Sequence, residues 1–137
     1  MIRRFTYIAT VMILALLAAS CSMEGQFGFR KFGEDTYRRT NETPEFASNE
    51  AVDWVYVFKK KHGTREIGVV YRKKELVWVE MLARVSRIDT GNKVAYGTIK
   101  NFPPGHYQVV LTDLQNDNTL IDSKDFIIYV KDSSEEE

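Results

Sequence analysis

From Ala51 onward, apolar and polar positions alternate along most of the chain. "AVDWVYVFK" places Val52, Trp54, Tyr56 and Phe58 on one face and Asp53, Val55, Val57 and Lys59 on the other, the period of two that marks a half-buried strand. "REIGVVYRKK" predicts a second strand, and "ELVWVEMLARVSRID" a longer third with Val77, Val79, Met81, Ala83 and Val85 aligned on one face. Residues 76–88 also approximate a helical spacing through Leu76, Val79, Leu82 and Ser86. β-branched and aromatic content, with five unbroken alternating positions, places strand ahead of helix there. "KVAYGTIK", Tyr107 to Asp113 and "TLIDSKDFIIYV" complete the set, separated by turn signals at Lys61-His62-Gly63, Thr90-Gly91-Asn92 and "LQNDN". Six or seven short strands joined by turns, with no helical insert, predict an all-β antiparallel sandwich over residues 45–130.

The N-terminal 20 residues follow a different pattern. Arg3-Arg4 precede an uncharged run from Phe5 to Ala19, and the small residues Ala18-Ala19-Ser20 precede Cys21, the single cysteine of the chain. A basic start, an apolar stretch too short to span a bilayer and a small-residue junction predict a cleaved export signal. Leu17-Ala18-Ala19-Ser20-Cys21 resembles the lipobox of bacterial lipoproteins, with alanine at the third position before the cysteine, where leucine is commonest in that family. The resemblance implies that residues 1–20 are a lipoprotein signal peptide. It also implies that Cys21, acylated on its sulfur and its amino group, anchors the mature chain in the membrane. Each buried methylene of such chains adds about 0.8 kcal/mol, and several chains hold far more firmly than one. Ser22 stands where many inner-membrane lipoproteins carry aspartate, so the resemblance points to the outer membrane of the cell envelope.

Residues 21–44, glycine-containing and charged, have no apolar period and read as a flexible tether. Such a segment would hold the domain on the order of 25–30 Å from the bilayer. Its four aromatics, Phe27, Phe29, Phe32 and Tyr37, exceed what a spacer needs; packing on the flank of the domain is the simpler account, and docking on a partner or on headgroups the other. The end of the chain, residues 131–137, is an acidic run that reads as a disordered tail.

Within the domain, Phe102-Pro103-Pro104-Gly105-His106-Tyr107 resembles the proline-glycine-x-tyrosine corner of immunoglobulin-like, fibronectin-III-like and transthyretin-like bacterial domains. That resemblance implies an Ig-like sandwich in which Pro104 and Gly105 form a structural corner and Tyr107 hydrogen-bonds back across it.

With Lys+Arg equal to Asp+Glu at 19 each, the whole chain is neutral. Removal of Arg3 and Arg4 leaves 17 basic against 19 acidic residues, a net charge of −2. Compartment and charge both speak against nucleic acid as a partner. Two basic clusters, Lys59-Lys60-Lys61 and Arg72-Lys73-Lys74, fall at strand ends and would form one basic rim if their strands were neighbours. With exposed aromatics such as Tyr71 and Trp78, that rim is the expected binding surface; gatekeeper lysines that protect strand edges are the competing account. His62 and His106 lie beside turn glycines and read as solvated. No metal-ligand spacing, activated nucleophile or cofactor motif is present. Glu75 and Glu80 are the carboxylates available for acid-base work, with no sign of a cleft. The turn Asp113 to Asn118 does not fit a calcium-binding EF-hand, because its twelfth residue is Lys124 rather than glutamate.

The sequence therefore predicts a lipid-anchored envelope module, not an enzyme and without cofactor or metal, that binds or scaffolds an envelope protein. Its alternatives are a surface adhesin for host or matrix ligands and a carbohydrate-binding or carbohydrate-active domain.

Overall fold

The computed structural model describes residues 25–60 and 63–131. The expected signal segment, Cys21, Lys61, His62 and the acidic tail from residue 132 onward lie outside the described residues. Every regular element is a strand: β1 Gly25–Lys31, β2 Glu45–Ala47, β3 Val52–Phe58, β4 Arg65–Lys74, β5 Trp78–Ile88, β6 Val94–Ile99, β7 Gly105–Asp113 and β8 Thr119–Tyr129. They form a three-stranded sheet in the order β1-β3-β6 and a five-stranded sheet in the order β2-β8-β7-β4-β5. The protein is an all-β sandwich. Pairing is antiparallel except between β2 and β8, which run parallel.

Alternation builds the core. Val52, Trp54, Tyr56 and Phe58 of β3 face Ile67, Val69 and Tyr71 of β4, Tyr107, Val109 and Leu111 of β7, and Phe126 and Ile128 of β8. Each of the larger side chains contributes roughly 1.5–3 kcal/mol by leaving water. Residues 76–88, where strand and helix competed, form strand β5 after a short turn.

Three expectations are corrected. The described residues form eight strands rather than six or seven, because β1 and the three-residue β2 carry too little alternation to stand out. The tether does not occupy residues 21–44: Gly25 to Lys31 pair with β3 from Gly25↔Phe58 to Lys31↔Val52. Phe27 and Phe29 are buried against Trp54, Tyr56 and Phe46, so hydrophobic burial pins the segment to the domain, whereas Phe32 stays 79% exposed. The unbroken face of the third predicted strand is interrupted by a bulge. Tyr71 pairs with Leu82 but Arg72 pairs with Glu80, leaving Met81 as the extra residue, which shifts the facing of everything before it.

Of the polar contacts between the two sheets, that between Trp54 and Tyr71 is fully buried. The indole Nε1–H of fully buried Trp54 donates to the hydroxyl of Tyr71 at 2.8 Å, joining β3 of one sheet to β4 of the other. Gly97, the cross-strand partner of Trp54, makes room for that ring: a Cβ there would stand 2.8 Å from the indole. At the far corner Tyr107, also fully buried, donates its hydroxyl to the carbonyl of Pro103. Burial raises the Tyr71 phenol above its ordinary value, with the bond from Trp54 and the charge of Arg84 acting the other way. Burial raises Tyr107 too, helped by the charge of Glu75.

Y71F should cost about 1–3 kcal/mol in urea unfolding, because it strands a buried indole N–H, and G97A should cost a similar amount by overpacking. A phenol whose ionisation is pushed up favours the fold while it stays protonated. This contribution is complete below the unfolded tyrosine value of about 10 and is lost as pH rises through the raised folded values. Unfolding midpoints should therefore fall above about pH 10, and the Y71F/Y107F double variant should show a smaller alkaline loss relative to its own neutral-pH stability.

Candidate functional site

Among the described residues no strand or helix packs over the outer face of the five-stranded sheet, and its register assembles polar side chains that lie far apart in sequence. Across four strands, Asp125 pairs with Gln108, Gln108 with Arg72, and Arg72 with Glu80. Alternation carries these residues outward, since their chain neighbours Phe126, Tyr107, Val109 and Tyr71 point into the core. One step along the strands, His106 pairs with Ile127 and Lys74 with Trp78.

The Asp125 carboxylate is held from two sides. Gln108 Nε2 donates to Oδ1 at 3.0 Å, and His106 Nε2 meets Oδ2 at 3.0 Å. A carboxylate only accepts, so Nε2 of His106 carries a proton in this contact. The imidazole stands edge-on to Trp78, with ring centroids 5.5 Å apart and planes at 88°. Lys74 Nζ lies 5.9 Å from the centre of the Trp78 ring. Arg72, half-buried beside this group, has no side-chain hydrogen bond or ion pair among the described residues. The face thus offers a positioned acceptor, five guanidinium donors and a partly exposed indole edge.

The sequence-predicted site is brought together only in part. Arg72, Lys74 and Trp78 meet on this face, while Lys73 turns to the other side of the sheet, where its Nζ lies 3.7 Å from Glu75 and over the Tyr107 ring. Tyr71 is not a surface aromatic: it is 3% exposed and bonded to Trp54. The single basic rim does not form. Lys59 and Lys60 follow β3 at the end where β4 starts, whereas Arg72 to Lys74 close β4, roughly 25 Å away at about 3.3 Å per residue. His106 is a strand residue in β7, not a solvated turn residue. His106, Gln108 and Asp125 are absent from the sequence-predicted set. The alternation in "GHYQVV" and "KDFII" separates them from the core residues, but only sheet order makes them neighbours.

Pro104 and Gly105 lead into β7 at the corner that Tyr107 closes. Asp113, 3% exposed, accepts from Arg65 Nη1 at 2.5 Å and from the backbone N–H of Gln115, so its carboxylate organises its turn. Among the described residues, no group of three His, Cys, Asp or Glu could hold a metal ion.

No protein-family model matches the chain, and no curated protein matches it. Among solved structures, the chain is similar to the neutron crystallographic structure of a Jonesia denitrificans lytic polysaccharide monooxygenase, at 14% identity and a TM-score of 0.43. The alignment covers 72% of this chain and 63% of that one. That protein is an enzyme, and the sequence-based exclusion of enzymatic activity is withdrawn accordingly. At this identity and TM-score the likeness assigns no activity, substrate or cofactor to the present chain.

Because the outer-face side chains are half-exposed, R72A, W78A and D125A should each unfold within about 1 kcal/mol of the parent protein. Urea unfolding curves check this, and they show whether these residues carry a structural role.

Proposed function

We propose that this protein is a lipid-anchored binding module of the bacterial cell envelope, seated on the outer membrane, that engages another envelope protein through the outer face of its five-stranded sheet. The observation that carries the binding surface is the adjacency of an uncommitted Arg72, the Asp125 carboxylate fixed by His106 and Gln108, and the indole of Trp78. Arginine and tryptophan are the side chains most enriched where binding energy concentrates. The guanidinium fork suits a carboxylate on the partner. Asp125, positioned in advance, loses little freedom when it accepts a bond.

Anchoring supports the same reading. The basic start, apolar run and lipobox-like junction at Cys21 supply the membrane end. Confinement to two dimensions raises the effective concentration of module and partner, so a modest interface suffices.

A second reading has its own observation. Trp78 beside the planar polar groups of Gln108, Arg72 and Asp125 also suits a sugar ring, whose apolar face packs on an indole and whose hydroxyls bond in the plane. This reading keeps the surface and changes the ligand.

Crosslinking on intact cells, followed by capture through a C-terminal tag, tests the proposal. One envelope protein recovered in near-equal amount, and lost from the R72A and W78A variants, is the expected result. Recovery of the protein alone, or with glycan only, would overturn the protein-partner reading. Capture that survives both variants would overturn the assignment of the surface.

A further inference from the structure

On the opposite flank of the sandwich an open groove of about 860 Å³ runs between β1 and β8. Gly25, Gln26, Arg38, Arg39, Asp122 and Lys124 are among the residues that line it. Three are cations and one is a carboxylate. The carboxylate is already engaged: Asp122 accepts from the Tyr56 hydroxyl at 3.1 Å and from the Ser123 N–H at 2.8 Å. Lys124 gives one N–H to the Thr40 carbonyl at 2.8 Å, leaving two. Neither guanidinium has a side-chain hydrogen bond or ion pair among the described residues. Arg38 is nonetheless held in place, because its backbone exchanges two hydrogen bonds with Phe29, at 2.7 and 2.9 Å. A polar groove lined by two uncommitted guanidinium groups, one of them on a residue whose backbone is fixed, is suited to an oxyanion with several acceptor oxygens, and phosphate matches the fork of arginine.

Chain geometry says where the phosphate comes from. Gly25 lines the groove and lies four residues after Cys21, a contour of at most about 14 Å. Lys59 and Lys60 stand at the same end, because Phe58 pairs with Gly25. If Cys21 carries the lipid anchor, the headgroup plane lies within reach of Arg38 and Arg39. We infer that this groove takes the phosphate of an anionic phospholipid and so fixes how the domain sits on the bilayer. The inference rests on the anchor at Cys21 and is independent of the outer-face ligand.

The test uses the full-length protein, purified from membranes and reconstituted into vesicles of phosphatidylcholine alone or mixed with phosphatidylglycerol. Phenylglyoxal modification of each arginine is followed by mass spectrometry, which also reads the mass of the N-terminal peptide. Modification of Arg38 and Arg39 should slow by about tenfold on the anionic vesicles, while that of Arg84, exposed on β5, changes far less. Millimolar inorganic phosphate added to the phosphatidylcholine vesicles should give little protection. Equal protection by free phosphate, or none by anionic lipid with Cys21 acylated, overturns the inference and leaves the anchor standing. An N-terminal peptide without acyl chains overturns the anchor, and the inference with it.

Discussion

The hydrogen bond from Trp54 to Tyr71 is the constraint around which this sandwich is arranged. Apolar packing between two sheets is tolerant of sliding, since one aliphatic contact substitutes for another at small cost. A buried indole N–H has no such latitude. It must find an acceptor or forfeit the full cost of desolvation, and Tyr71 supplies that acceptor from the facing sheet. The bond therefore fixes the offset of β3 against β4. Gly97 on β6 yields the space the indole occupies, and the aromatic cluster of Phe27, Tyr56 and Phe58 packs outward from the same strand. The two sheets are held in register by this polar pair, set wholly in the apolar interior, and by the partly buried bond from Tyr56 of β3 to Asp122 of β8.

Three strands face five, and this inequality decides where the surface is free to act. The smaller sheet covers the inward residues of β8, β7 and β4 and leaves the edge strand β5 projecting past it. β5 is accordingly exposed along most of its length, with Leu76 at the turn wholly in solvent and Val85 65% exposed. Such an edge invites pairing with other chains, and Glu80, Arg84 and Arg87 interrupt its apolar run in the manner of charges that discourage it. The outer face of the same sheet is where the row from Asp125 to Glu80 assembles. Groups committed to the core and groups available to a ligand alternate residue by residue along β7 and β8.

That alternation is also why much of the architecture could be read in the sequence. β3 buries every second residue along its length, β4 and β7 keep that alternation with Gly68 and Val110 buried out of phase, and β8 shows it at Phe126 and Ile128; their turns carry the expected glycine, proline and asparagine, and the all-β sandwich follows from those segments. β1 escaped because Gly25, Gly28, Arg30 and Lys31 dilute the two phenylalanines that hold it. β2 is three residues long, below the length at which a period can be recognised. The candidate surface was half legible. Arg72, Lys74 and Trp78 belong to one hairpin, so their proximity is local. His106, Gln108 and Asp125 join them only because β7 lies between β4 and β8. The supposed basic rim failed for the complementary reason: consecutive strands β3 and β4 belong to different sheets, and their lysine clusters end at opposite poles. Tyr71 looked like a surface aromatic beside basic residues, but strand parity sends it inward.

The early start of β1 bears on how the domain would carry a mechanical load. Tension transmitted through the N-terminal segment enters at Gly25, the first residue paired to β3, with no slack chain inside the domain to absorb it. β1 is an edge strand, held by its ladder to β3, by the two-bond bridge between Phe29 and Arg38 and by the burial of Phe27 and Phe29, so it is the first element to peel under such a pull. The Trp54–Tyr71 lock lies on the far side of that ladder and is spared. Lengthening under force would then be partial and reversible, drawing out seven residues while the rest of the sandwich keeps its shape.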